Sequence, residues 1–119
     1  MSETDEILGF IESYRITSDD AIPAMEVQLR LAIGYGQRVG ELSIEAEKVY
    51  RLKFAKCLED LGQMEEETET TRKAKLEAWT ANEKAAAQHL KNLYSTLKQI
   101  RMSLFQAIKT RRTEPYGGT

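Results

Sequence analysis

The stretch that decides the fold is residues 76–107, which read LEAWTANEKAAAQHLKNLYSTLKQIRMSLFQA. Along it, positions alternately three and four residues apart are apolar, and Glu83 is the one exception. These positions are Leu76, Trp79, Glu83, Ala86, Leu90, Leu93, Leu97, Ile100, Leu104 and Ala107. Apolar residues at this spacing form one stripe along a helix, and a stripe of more than four heptads predicts lengthwise packing against another helix, as in a coiled coil.

A second apolar stripe earlier in the chain predicts the partner helix. Its members are Tyr35, Val39, Leu42, Ala46 and Val49, followed after a shift of one residue by Tyr50, Phe54, Cys57, Leu61 and Met64. Gly62 predicts the end of this helix, with the left-handed backbone that glycine adopts at a C-cap. Folding back there gives an all-α protein, a long antiparallel helical hairpin with helices at about residues 23–61 and 65–112.

The residues outside the hairpin predict a short first helix and a tail. Residues 4–14 place Ile7, Ile11 and Tyr14 on one face, and acidic residues crowd the first turn, where the helix dipole favours them. Pro115 and the glycines that follow it predict a flexible tail over residues 113–119. We expect residues 1–112 to form a single helical domain.

Composition narrows the class of protein. Charged residues make up 30% of the 119 residues, there are only 2 prolines, and the formal net charge is −2. This balance is typical of long helices and requires neither a nucleic acid nor a membrane as partner. No run of 18 apolar residues is present, and the single cysteine is compatible with a reducing compartment, so we expect a cytoplasmic protein.

Three glycines lie inside the predicted second helix, at Gly34, Gly36 and Gly40. Each is unfavourable in a helix interior by ~1 kcal/mol relative to alanine. They indicate a kink, a break, a close contact between helices or a hinge. They do not form a phosphate-binding loop, because the G-x-G-x-x-G spacing and a preceding strand are missing.

Charge segregation indicates a binding surface. Residues 84–112 contain seven basic residues and no acidic one, and Lys84, Lys91 and Lys98 recur every seven residues. Such a stripe can bind an acidic partner or a phosphate backbone. The candidate contact residues are Lys84, Lys91, Tyr94, Lys98, Arg101, Lys109 and Arg112. Alternatively, the seven acidic residues within residues 1–26 neutralise the stripe inside the molecule.

Nothing in the sequence indicates catalysis or metal binding. No H-E-x-x-H or E-x-x-H pair occurs, and His89 has no carboxylate or cysteine three or four residues away. The acidic run at residues 65–69 is explained by the dipole of the helix that follows it. Trp79 and Cys57 are expected in the core, and Phe105 is expected to widen the buried face. No enzyme activity and no cofactor are predicted.

Residues 45–112 resemble a group of small coiled-coil proteins from tailed-phage early gene clusters, which lie near recombination and single-strand-binding genes. The resemblance rests on EAEKVY at residues 45–50, the turn at Gly62, KAKLE at residues 73–77 and LKNLYSTL at residues 90–97. It implies a phage accessory or inhibitor role, and it assigns no activity to individual residues.

Three functions fit these features. The first is a non-enzymatic binding protein that engages a host or phage DNA-processing or defence protein. The second is a recombination or replication accessory that binds single-stranded nucleic acid, with Tyr94 and Phe105 as stacking platforms. The third is a purely structural coiled-coil oligomer. We expect binding to a protein partner together with self-association, because two helices leave one flank of each helix thinly covered.

Overall fold

Three α-helices make up the structure, a computed structural model that describes residues 2–15, 21–63 and 68–113. Helix α1 spans Glu3–Ser13, α2 spans Ile22–Gly62 and α3 spans Glu69–Thr113. The predicted fold class is confirmed: the protein is all-α, a helical hairpin with a short N-terminal helix. The predicted start of the third helix at residue 65 lies outside the described residues, as do residues 114–119 of the expected tail, whereas Thr113 is the last residue of α3.

A capping box begins α1. The backbone N–H of Asp5 donates to Ser2 Oγ at 3.2 Å, and the backbone N–H of Ser2 lies 3.4 Å from Asp5 Oδ2. Glu3, Asp5 and Glu6 fill the first turn, where the exposed backbone N–H groups favour negative charge. These contacts fix the start of a helix that is only 11 residues long.

Helix α2 is continuous from Ile22 to Gly62, so the glycines inside it neither break nor end it. A Cβ atom added at Gly34 or Gly36 would meet no atom within 4 Å, and the expectation of a close helix contact at these two positions is therefore wrong. Gly62 is the last residue of α2, as predicted, but its φ does not lie in the left-handed region.

The chain forms two compact units, each of which contains part of α2 and part of α3. Unit 1 consists of Met1–Arg38 and Leu93–Thr119, and unit 2 consists of Val39–Asn92. Unit 1 therefore also contains α1. The single domain expected over residues 1–112 stays a prediction.

The core of unit 1 includes a cluster formed by Met25, Ala32, Ile100, Leu104 and Ile108. Residues of α1 pack against it, and the rings of Phe10 and Tyr35 lie 5.4 Å apart, centroid to centroid. An ion pair between Glu3 Oε1 and Arg38 Nε, at 2.5 Å, joins α1 to α2. Helix α1 thus covers one flank of the α2–α3 pair in this unit.

The core of unit 2 is contributed by α2 and α3. One cluster in it consists of Cys57, Leu61 and Leu76, with Phe54 partly buried against them, and Val39 and Ala87 are buried in the same unit. The burial predicted for Cys57 is confirmed. Lys91 pairs with Glu47, and Lys53 pairs with Glu83. Lys53 follows Glu47 along α2, whereas its partner Glu83 precedes Lys91 along α3. The two helices of unit 2 therefore run antiparallel.

Burial in unit 2 corrects the predicted stripe of α3 by one residue. Trp79 is 40% exposed and Ala86 is exposed, whereas Thr80 and Ala87 are buried. Thr80 tolerates burial because its hydroxyl donates to the carbonyl oxygen of Leu76 at 2.7 Å. The stripe therefore begins with a step of four residues from Leu76, which turns Trp79 away from α2.

Two further expectations about burial are wrong. Val49 is 51% exposed, because the buried face of α2 continues through Tyr50 instead. Phe105 is 63% exposed and does not widen the buried face, because α1 lies on the other flank of unit 1. Ile108, three residues after Phe105, is buried in the core.

Candidate partner-binding surface

One exposed face of α3 in unit 1 carries most of the predicted contact residues. Successive members lie three or four positions apart, so that their side chains share one side of the helix. They are Tyr94, Lys98, Arg101, Phe105, Lys109 and Arg112, which we call the basic flank. All six side chains are exposed.

The basic flank lies opposite α1. On α2, α1 contacts Tyr35 and Arg38, whereas the basic flank neighbours Leu29 and Gln37. Each residue turns an α-helix by about 100°, so these two pairs lie on opposite sides of the buried Ala32. The α2–α3 pair of unit 1 therefore has one flank covered by α1 and one open flank.

A groove of about 610 Å³ lies at the C-terminal end of the basic flank, between α2 and α3. Leu29, Phe105 and Ile108 supply its apolar lining. Arg30 of α2 and Lys109 and Arg112 of α3 supply its positive charge. The residues that line it are Glu26, Leu29, Arg30, Phe105, Ile108, Lys109, Arg112 and Thr113. An apolar site with cations around it fits a ligand that combines apolar and anionic groups.

A smaller hollow of about 70 Å³ lies near the other end of the basic flank. Tyr94, Lys98 and Arg101 line it from α3, and Gly36 and Gln37 are among the residues that line it from α2. Tyr94 is 44% exposed, so its ring is available on the surface beside two cations. This places a second aromatic residue among positive charges on the same face.

The charge on the basic flank is only partly neutralised. Arg112 forms an ion pair with Glu26 of α2. Within the described part of the chain, the side chains of Lys98, Arg101 and Lys109 form no ion pair with a carboxylate. Pairing with the acidic residues among residues 1–26 therefore occurs for Arg112, as the alternative prediction has it. The other cations leave the basic flank with a net positive charge.

The other two predicted contact residues belong to unit 2. Lys91 Nζ lies 3.3 Å from Glu47 Oε2, and this contact is the main reason that the pKa of Glu47 lies below its ordinary value. Lys84 is exposed and lines a separate groove of that unit. The structure therefore brings together five of the seven predicted residues in unit 1, and it gives Lys91 a structural partner.

Sequence reasoning missed Arg30 and gave Phe105 two roles, as part of the buried face or as a stacking platform beside Tyr94. Phe105 continues the three- and four-residue spacing of Lys98 and Arg101, and that spacing favours the exposed face over the buried one. Arg30 lies on α2, and its place in the groove that Lys109 also lines depends on the register between the two helices. No pattern within α2 alone indicates it.

Within residues 2–15, 21–63 and 68–113, no group of three or more His, Cys, Asp or Glu residues is placed to hold a metal ion. Most of the acidic run at residues 65–69 lies outside these ranges. In the same part of the chain, none of the helices combines the length and apolar character needed to cross a membrane.

Comparisons with known proteins give no match: no family model, no curated protein and no solved structure is significantly similar to this chain. The geometry of the basic flank is therefore the starting point for a functional proposal.

Proposed function

We propose that this chain is a non-enzymatic helical binding protein whose basic flank engages an acidic, partly apolar helix of a partner protein. The observation that carries the proposal is that Phe105 is exposed and lines an apolar groove. Lys109 lines the same groove, and it forms no ion pair with a carboxylate of the described residues. Buried aromatic residues and arginines supply most of the binding energy at protein interfaces. Phe105, Arg101 and Arg112 are accordingly the residues we assign to the centre of the contact.

The packing of α1 supports an acidic helix as the occupant. Helix α1 carries acidic residues in its first turn, its Ile7 is buried, and its Phe10 packs partly buried against the core cluster of unit 1. Its Glu3 pairs with Arg38 of α2. One flank of the α2–α3 pair thus already holds an acidic amphipathic helix, and the open flank offers cations and an aromatic residue for a second one.

The resemblance of residues 45–112 to coiled-coil proteins of tailed-phage early gene clusters supports the class of partner. We assign the partner to host or phage DNA-processing and defence proteins. A helical body placed on an acidic surface helix of such a protein can block access to its nucleic-acid channel. The encounter would take place in the host cytoplasm and would be accelerated by the opposite charges.

A second candidate function is binding of single-stranded nucleic acid by the same residues. Tyr94 and Phe105 are both exposed, and they are eleven residues apart on α3, or about 16 Å at the rise of an α-helix. Two aromatic platforms between cations are typical of proteins that bind single strands without sequence preference. This function requires affinity that falls steeply with salt.

Affinity capture from host lysate tests the proposal. Bait proteins are the wild type, the variant Lys98→Glu/Arg101→Glu, and the control Lys48→Glu/Lys56→Glu. The control makes the same change in net charge at exposed lysines of α2 in unit 2. We expect a protein to be captured by the wild type and the control and lost from the basic-flank variant.

Two results would count against the proposal. If all three baits capture the same protein, the basic flank is not the binding surface. If the captured material is nucleic acid, and ribonuclease or deoxyribonuclease removes it, the second candidate function replaces the first.

A further inference from the structure

Unit 2 has an open groove that the basic flank does not include. The groove has a volume of about 670 Å³ and lies between α2 and α3. Tyr50 and Phe54 form its aromatic wall, with ring centroids 5.9 Å apart, and Leu76 and Thr80 lie among the residues opposite. Stable helical domains bury each apolar face against another layer, and two helices alone leave such a groove without cover.

The α3 side of this groove is symmetric about a point between Thr80 and Ala81. Glu77 lies three residues before Thr80, and Lys84 lies three residues after Ala81. Likewise, Lys73 lies seven residues before Thr80, and Gln88 lies seven residues after Ala81. All four side chains line the groove and are exposed. Within the described residues, Glu77 and Lys84 form no ion pair.

This symmetry is what a two-fold contact between identical antiparallel helices requires. When α3 crosses α3 of a second copy at the Thr80–Ala81 point, Glu77 of each copy lies opposite Lys84 of the other. Two reciprocal ion pairs then form across the contact. The small side chain of Ala81 and the burial of Thr80 let the two helices approach closely at the crossing point.

We propose that a second copy of this chain occupies the groove of unit 2, forming an antiparallel dimer centred between Thr80 and Ala81. The dimer goes beyond the proposed function, because it uses a different surface in a different unit. Charge complementarity favours a second copy over a foreign helix. A uniformly acidic helix would meet Glu77, and a uniformly basic helix would meet Lys73 and Lys84, whereas an inverted copy meets the opposite charge at both Glu77 and Lys84.

Charge-reversal variants test the register of the dimer. Lys84→Glu places two acidic residues opposite each other at both sites, and Glu77→Lys places two basic residues there. We expect each single variant to weaken the dimer about tenfold or more, since like charges are then brought together twice. The double variant Glu77→Lys/Lys84→Glu restores the opposition of unlike charges and should dimerise as the wild type does.

A mixture of the two single variants is the sharpest form of this test. The Lys84→Glu variant has a glutamate at both positions 77 and 84, and the Glu77→Lys variant has a lysine at both. An equimolar mixture should therefore form a heterodimer, although neither variant dimerises well alone. Sedimentation equilibrium measures the mass in each case, against 13.6 kDa for one chain. The control Lys98→Glu, in unit 1, should leave the dimer unchanged.

Three outcomes would overturn the proposal. The first is a wild type that remains monomeric at roughly 1 mM, a concentration that reveals even a weak association. The second is a dimer that both single variants retain at full strength. The third is a mixture of the single variants that stays monomeric while the wild type dimerises. Circular dichroism of each variant confirms that the helices are intact, since all the substituted side chains are exposed.

Discussion

Lys53 Nζ of α2 lies 2.6 Å from Glu83 Oε1 of α3, so that a cation on one helix of unit 2 neutralises the acidic residue inside the apolar stripe of the other. This contact explains how a glutamate can occupy a position in the stripe. It also favours the observed register of the two helices, because sliding one helix along the other would separate Lys53 from Glu83.

The Lys53–Glu83 pair predicts loss of stability in acid. The hydrogen bond from Lys53 is the main cause that holds the pKa of Glu83 below its ordinary value of 4.5. A carboxyl whose pKa is lower in the folded state stabilises the fold above its unfolded pKa, and this contribution disappears as the pH falls through the folded pKa.

We therefore expect Glu83→Gln to flatten the pH dependence of the free energy of unfolding below about pH 4.5. Urea denaturation of the wild type and the variant, from about pH 7 to about pH 3, measures it. Glu45→Gln, at an exposed residue of the same unit, is the control and should follow the wild type. Equal slopes for Glu83→Gln and the wild type would contradict the prediction.

Replacing both members of the pair by apolar residues should be tolerated better than replacing one. Glu83 Oε2 is buried and has no hydrogen-bond partner within the described residues. Lys53→Met alone leaves the carboxylate without its cation and should lower the free energy of unfolding. Lys53→Met/Glu83→Leu removes both charges and should recover most or all of it, because a partly buried ion pair contributes little over well-packed apolar side chains. A double variant less stable than Lys53→Met would refute this expectation.

Alanine at the glycines of α2 should stabilise the protein. Gly34 and Gly36 lie inside a continuous helix, and a Cβ at either position has open space around it. Gly34→Ala and Gly36→Ala should each raise the free energy of unfolding by about 0.5–1 kcal/mol. Gly9→Ala in α1, where a Cβ also meets nothing within 4 Å, is a matched case and should behave alike. Thermal denaturation of the three variants and the wild type measures the effect. If the two α2 variants are destabilised and Gly9→Ala is not, the glycines of α2 are needed for a bend.

The corrected stripe of α3 is tested by two truncations. Leu104 is fully buried in unit 1, and Leu104→Ala should reduce the free energy of unfolding by about 2–5 kcal/mol. Trp79 is the larger side chain but is 40% exposed, so Trp79→Ala should lower the free energy of unfolding by only about 1 kcal/mol or less. Chemical denaturation gives both values. A larger loss for Trp79→Ala than for Leu104→Ala would restore Trp79 to the core.

The fold could be predicted from the sequence because periodicity over many turns averages out local errors. Which residues of α3 are buried in unit 2 could not be predicted in the same way, since Trp79 is more apolar than Thr80 and yet Thr80 is the buried one. Thr80 is buried because its hydroxyl finds a partner in its own helix, and hydrophobicity alone does not reveal such a bond.

The candidate surface was predictable only within one helix. The spacing of Tyr94, Lys98 and Arg101 places them on one face of α3, as the structure shows. The place of Arg30 in the groove lined by Lys109, and the pairing of Lys91 with Glu47, depend on which residues of α2 lie opposite α3. That register is set by the packing between the two helices, which periodicity within a single helix does not contain.

The measurement that tests the central proposal most directly is fluorescence anisotropy with three labelled probes. They are a helical peptide with glutamates on one face and leucine and phenylalanine on the other, the same peptide with lysines in place of the glutamates, and single-stranded oligothymidylate. We predict that the wild type binds the acidic peptide in preference to both others. The variants Lys98→Glu/Arg101→Glu and Phe105→Ala should weaken this binding about tenfold or more, while Lys48→Glu/Lys56→Glu leaves it unchanged. Equal binding of the acidic peptide by all the variants, or no binding by the wild type, would contradict a partner-binding role for the basic flank.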